Sequence, residues 1–163
     1  MELWDAYDKD FNIIQGITLI RGESEIPDGV YHMVCHILVQ HTDGTYLLMQ
    51  RDPDKLYPLM WEATAGGSVL QGEDVLTASY RELREETGIA AGELKEIGRT
   101  RSDDKHTVYV EYLCVTDVDK DSIILQEGET VGHRWVSADD IIRMSNDELL
   151  SWRMREYIKR QMT

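Results

Sequence analysis

With 31 acidic against 17 basic side chains in 163 residues, the chain carries a formal net charge of −14. A field of that sign excludes a nucleic-acid polymer or an anionic membrane surface as main partner, and leaves any small anionic ligand to bind through local cations or a metal. A hydrophobic content of 42 % excludes disorder of the whole chain and suffices for a full core, so residues 1–163 are expected to form one domain.

Residues 1–22 read as an N-terminal β extension. Leu3–Tyr7 and Ile13–Ile20 are short strands either side of a turn at Asp8–Asp10, and Ile26–Gly29 is a loop. Val30–Gln40 is the clearest core strand, followed by an Asp43-Gly44 hairpin turn and a return strand Tyr46–Gln50. Arg51–Trp61 is a loop broken by Pro53 and Pro58, and Glu62–Leu70 is extended around Gly66-Gly67. The spacing predicts a helix over Asp74–Thr87. Glu73 and Asp74 favour its positive end and Gly88 closes it, with Leu76, Tyr80 and Leu83 facing the core and Ala78 on the opposite, acidic face. Leu94–Arg99, Val108–Val115 and Arg134–Val136 read as strands, Ala138–Met144 as a short helix behind Ser137, and Asn146–Gln161 as a terminal helix burying Leu149, Leu150, Met154, Tyr157 and Ile158. The architecture expected is α/β, a mixed sheet covered on both sides.

No apolar run reaches membrane-spanning length, and MELWDAYDKD lacks the basic and apolar order of a secretion signal. A cytoplasmic setting is expected. Cys35 and Cys114 sit alone in apolar runs and read as buried thiols; no zinc spacing occurs. His106 and His133 read as surface residues.

The most informative stretch is Gly67–Ile89, GSVLQGEDVLTASYRELREETGI. Glu85 and Glu86 follow Glu82 by three and four residues, so the three carboxylates can converge on one helical face. Such a cluster repels itself unless a hard cation intervenes, and oxygen ligands suit Mg²⁺, with Mn²⁺ as the alternative. A site of that kind suits a phosphate-containing substrate. Arg51 and Lys55, on the loop ahead, are placed to meet phosphate. Tyr57 and Trp61 either stack on a base or close the core.

Position by position, Gly67, Glu73, Arg81, Glu82, Leu83, Glu85, Glu86, Gly88 and Ile89 resemble the signature of the Nudix hydrolases, with no departure. The resemblance implies a Nudix α/β/α sandwich and metal-dependent hydrolysis of a diphosphate linkage in a nucleoside diphosphate joined to another group. It implies Glu82, Glu85 and Glu86 as metal ligands with the Gly67 carbonyl, Arg81 as the residue that fixes the carboxylates, and Glu73 and Gly88 as structural. The water-activating base is either Glu82 or Glu129, on the loop before Trp135. Many family members dimerise, so a homodimer acting on a small-molecule diphosphate is the expectation.

Outside this signature, Asp28–Trp61 resembles isopentenyl-diphosphate isomerase, through Gly29-Val30-Tyr31-His32, Leu47–Arg51, Lys55, Pro58 and Trp61. At the place of that enzyme's catalytic cysteine stands Gly66, or Ala65 if the alignment slips by one. Neither side chain can move a proton, so hydrolysis is favoured over isomerisation. Retention of all three glutamates argues against a third reading, a domain that only senses nucleotides. ADP-ribose, a nucleotide sugar, an oxidised nucleoside triphosphate and an isoprenoid diphosphate all stay open.

Overall fold

The computed structural model describes all 163 residues. A first hairpin, β1 (Leu3–Tyr7) and β2 (Ile13–Ile20), forms its own two-stranded sheet. The main sheet has seven strands: β3 (His32–His41), β4 (Tyr46–Arg51), β5 (Trp61–Glu62), β6 (Thr64–Ser68), β7 (Lys95–Ser102), β8 (Thr107–Thr116) and β9 (Thr130–Val136). Three helices complete the chain: α1 (Val75–Thr87), α2 (Ala138–Arg143) and α3 (Trp152–Gln161). None is long and apolar enough to cross a membrane.

Strands run β5-β4-β3-β8-β7, with β6 paired to β3 and β9 to β4. The β3–β8 ladder is parallel from His32↔Thr107 to His41↔Thr116, and every other pairing is antiparallel. The sheet is therefore mixed, as its sequence suggests. Alternation along β3 feeds both faces. Met33, Cys35, Ile37 and Val39 join the core under α1, with Ala78 and Leu83. Leu38 joins the core under α2 and α3, with Leu48, Ile141, Met154 and Ile158. Helices on both faces of one sheet give the α/β/α sandwich. A third, small cluster of Trp4, Ala6, Leu19 and Val30 seats the hairpin. Val30 is thus buried against the hairpin, and β3 starts two residues later than the apolar run implies.

Three expectations are corrected. Leu76 is 43 % exposed, and Ala78 is fully buried. At about 100° per residue, the buried positions Ala78, Ser79, Leu83 and Thr87 centre midway between the directions of Leu76 and Glu86, so Leu83 faces the core as expected and Leu76 lies at its margin. The terminal helix begins at Trp152 rather than Asn146. The preceding segment pairs instead with β5: Trp61 N–H donates to Glu148 O at 2.8 Å, and Leu150 N–H to Trp61 O at 2.9 Å. His106 and His133 are half-buried rather than superficial. Both cysteines are buried and free, as expected.

Candidate active site

The site is built where β6 runs into α1. Gly66 and Gly67 pair with His36 and Cys35 of β3. A side chain at Gly66 would overlap the Cys35 carbonyl oxygen, so only glycine lets β6 lie this close. A Cβ on Gly67 would stand 2.6 Å from a Glu82 carboxylate oxygen. The bare backbone of β6 therefore abuts the acidic face of α1. Asp74 caps that helix by accepting from Thr77 N–H at 2.8 Å, and Gly88 ends it in the left-handed region at φ 78°.

Arg81 ties the acids together. It donates to both oxygens of Glu73 (2.7 and 3.0 Å), to Glu82 at 2.9 Å, to Glu85 at 3.3 Å and to the Ser68 carbonyl at 3.3 Å. Glu73 also accepts from Leu70 N–H at 3.0 Å, so one guanidinium locks the loop, the helix start and two further carboxylates. Burial pushes the Glu73 carboxyl up, but the Arg81 bonds outweigh it and hold it below the ordinary value. The same partners raise Arg81 further. Removing this hub by Arg81→Ala would leave half-buried carboxylates unpaired. A stability loss of about 2 kcal/mol is expected, read as a lower denaturation midpoint, with Arg81→Lys recovering only part because its ammonium cannot bridge all the partners. An unchanged midpoint would rule out the hub.

Glu82, Glu85 and Glu86 line one cavity of about 260 Å³ with Lys55, Glu129 and Gly67. They are not gathered round a single point, however: no three acidic, histidine or cysteine side chains stand so as to hold an ion between them. Arg81 draws Glu82 and Glu85 to one side, and Glu86 accepts from Gly66 N–H at 3.1 Å. Burial raises Glu82, with Arg81 opposing and Glu85 and Glu129 adding repulsion. Glu86 is pushed up to about 8, by burial first and by the Glu82 charge second, against the pull of the Gly66 N–H. Half-buried carboxylates that resist ionising beside one another form an all-oxygen donor set with an unmet need for positive charge. That is the chemistry a hard divalent cation satisfies.

A second cavity of about 160 Å³ opens from the first and shares Lys55, Gly66, Gly67, Glu86 and Glu129 with it. Arg51 lines it, donating to Glu62 at 2.8 Å and to the Leu56 carbonyl at 2.7 Å. Lys55 pairs with Glu129, and Asp52 N–H donates to the Glu129 carbonyl at 3.0 Å, so the loop before β5 is fastened to the loop before β9. Thr130 also lines this cavity. It is 7 % exposed and its hydroxyl has no hydrogen-bond partner, an orphan of the kind a bound ligand satisfies.

Of the residues singled out in the sequence, Arg51, Lys55, Gly67, Arg81, Glu82, Glu85, Glu86 and Glu129 come together here. Two do not. Trp61 packs into the core beside α3, with the Arg134 guanidinium 4.4 Å above its ring. Tyr57, half exposed, lines neither of these cavities but an adjoining space beyond Glu62. Sequence reasoning missed Glu62, whose carboxyl is raised by burial against the pull of Arg51. It also missed Thr130, and Arg21 from the N-terminal hairpin, which reaches the lip of the first cavity. No local pattern flags these residues, because each is recruited by strand pairing with distant segments.

Comparison with known proteins bears on the fold and the family. The NUDIX domain model matches residues 30–161. An uncharacterised Nudix hydrolase of Listeria monocytogenes is 32 % identical, over 86 % of this chain and 83 % of that protein. Among solved structures, a Deinococcus radiodurans protein superposes with a TM-score of 0.77 at 18 % identity, covering 98 % of each chain. The Nudix domain of Shewanella oneidensis NrtR, solved with ADP ribose, superposes with a TM-score of 0.64 at 16 % identity, covering 82 % of this chain and 89 % of that one. The structural likenesses speak for the fold; the matched domain and the sequence identity go further, and on them the chain belongs to the Nudix hydrolase family.

Proposed function

We propose that the chain hydrolyses a diphosphate linkage in a nucleoside diphosphate joined to a second group, with magnesium or manganese held by Glu82, Glu85, Glu86 and the Gly67 carbonyl. The observation behind this reading is the pair of half-buried, mutually repelling carboxylates Glu82 and Glu86 in a cavity that also presents Lys55, with Arg51 lining the adjoining one. A bound divalent ion would offset phosphate charge and make water a better nucleophile. The ADP-ribose complex of the NrtR Nudix domain supports a small-molecule diphosphate as the class.

In this reading the chain's own groups divide the work. Arg81 orients Glu82 and Glu85. Arg51 and Lys55 meet the phosphates, and the orphaned Thr130 hydroxyl donates to one of them. Glu82 and Glu129 are the two candidate bases. Glu82 is engaged by Arg81, whereas Glu129 is paired only through its Lys55 contact and is released when Lys55 turns to phosphate. Glu73 and Gly88 are structural. Residues 1–163 act as one unit with the 1–22 hairpin as its extension. The isomerase alternative lacks its acid: Cys35 and Cys114 lie in the core, where burial pushes both thiols up to about 11.

The test is a panel of diphosphates assayed for phosphate release with Mg²⁺ and with Mn²⁺. At least one is expected to turn over, and chelation to abolish the activity. Tight binding of one compound with turnover of none would replace hydrolysis by sensing. A cytoplasmic homodimer completes the proposal; a solution mass of 18.8 kDa, that of one chain, would remove the dimer.

A further inference from the structure

The groove does not stop at the phosphate-facing cavity. A third space of about 200 Å³ continues from it, sharing His36, Glu62 and Thr64 as common walls and ending under the first turn of α3. Its character changes along the way. The first two cavities are polar almost throughout, whereas this one presents Tyr57, Tyr109 and Trp152.

The floor comes from β3 and β8, whose parallel register sets His36 directly beside Glu111. The His36 imidazole tilts over the Tyr109 ring at 5.3 Å. From α3, Arg153 stacks on the other member of that pair, Tyr109, at 4.2 Å, and donates to Glu111 at 3.0 Å. Glu111 is buried, 8 % exposed, so its carboxylate keeps a fixed position. At the mouth, the Trp152 indole is 55 % exposed and Tyr57 is 48 % exposed, two rings left largely without partners.

These features ask for two things at once. The rings want a flat face to stack on. The imidazole, the carboxylate and the guanidinium want donors and acceptors along an edge. An isoprenoid tail offers neither, and would cover the polar Glu111–Arg153 pair with no hydrogen bond in return. A nucleobase offers both. We propose that this third space seats the nucleobase of the substrate, stacked against Trp152 and read along its edge by the Glu111–Arg153 pair and His36. The inference rests on the hydrolase reading, and it adds a direction: base under α3, diphosphate between Glu62 and Glu86.

Binding and turnover test it separately. Tryptophan fluorescence is titrated, in magnesium, with α,β-methylene analogues of ADP, GDP, CDP and UDP, and with methylene diphosphonate, which has no base. At least one nucleotide analogue is expected to half-saturate at a concentration about 10-fold or more below the base-free compound. Trp152→Phe is expected to keep that ratio and lose most of the quenching, since a stacking ring remains but the reporter is gone. Trp152→Ala, at an exposed position that leaves folding intact, and Glu111→Gln are each expected to cut the ratio about 5-fold or more. With a hydrolysable nucleotide the same two variants should raise KM more than they lower kcat.

Equal half-saturation by base-carrying and base-free ligands overturns the proposal. So does a methylene-bridged geranyl diphosphate analogue that binds more tightly than every nucleotide. Quenching by a nucleotide while no diphosphate turns over refutes hydrolysis and leaves the base seat standing. Turnover with no base preference does the reverse.

Discussion

Replacing Glu86 with glutamine is expected to lower turnover by about two orders of magnitude or more, yet to raise the melting temperature when parent and variant are both stripped of divalent ions. The two effects share one cause. Glu86 lies half-buried on α1 beside Glu82, and burial and that neighbour push its carboxyl up to about 8. Unfolded, a glutamate titrates near about 4.3. Between these values the native state keeps a proton that the unfolded chain releases, so this group's contribution to stability falls as pH rises from about 4 to about 8. Glutamine keeps the shape and can still accept from Gly66 N–H, but has no charge to desolvate. The variant's advantage should therefore vanish below about pH 4 and be greatest above pH 8. Saturating Mg²⁺ should reverse the order, because an ion that binds only the folded parent stabilises it by mass action. Melting curves at pH 5 and pH 8, with chelator and with Mg²⁺, read out all four corners. A parent as stable as the variant at pH 8 without ion, or a variant of unchanged activity, would remove Glu86 from the proposed ligand set.

Gly66→Ala is the second substitution of large effect. Its Cβ would overlap the Cys35 carbonyl oxygen and lie 3.0 Å from the carbonyl carbon, and both are backbone atoms of the central strand β3. No rotamer change relieves such a contact, so β6 must move off β3. The loss is expected at about 3 kcal/mol or more, which at this chain length corresponds to roughly 6–12 °C in melting temperature. Activity should fall as well, since the Gly66 N–H that holds Glu86 moves with the strand. Gly72→Ala is the matched control, because a Cβ there meets nothing within 4 Å and only the left-handed backbone, φ 78°, is strained. An alanine variant at 66 as stable as that control would show that β6 has slack the structure does not suggest.

Much of the site is legible in the sequence because it is local. Gly67, Glu73, Arg81, Glu82, Glu85 and Glu86 fall on one strand end, the turn after it and one helix, where spacing alone places them. The helix boundaries follow from Asp74 and Gly88 for the same reason. Spacing puts Leu83 in the core and Tyr80 against it, as found, but does not show the turn of the buried face toward Ala78 and Glu86, which leaves Leu76 43 % exposed. The start of α3 was misread because residues 146–151 have helical periodicity, whereas backbone pairing with β5 claims them first. Trp61 offered two roles, and the tertiary contact with Arg134 and the core decides for packing. Glu62, Thr130 and His36 owe their place to strand register, which no single segment of sequence encodes.

The lone parallel ladder of the sheet couples residue 32 to residue 107, and the whole signature from Gly67 to Ile89 lies inside the span it encloses. A fragment ending before β8 would hold every residue of that signature and still lack the neighbour that pairs β3 along the edge opposite β6. During synthesis the acidic helix is complete long before its seat is. Closing so wide a span is slow for any chain, so the nascent protein must tolerate its own clustered glutamates until residue 116 has emerged.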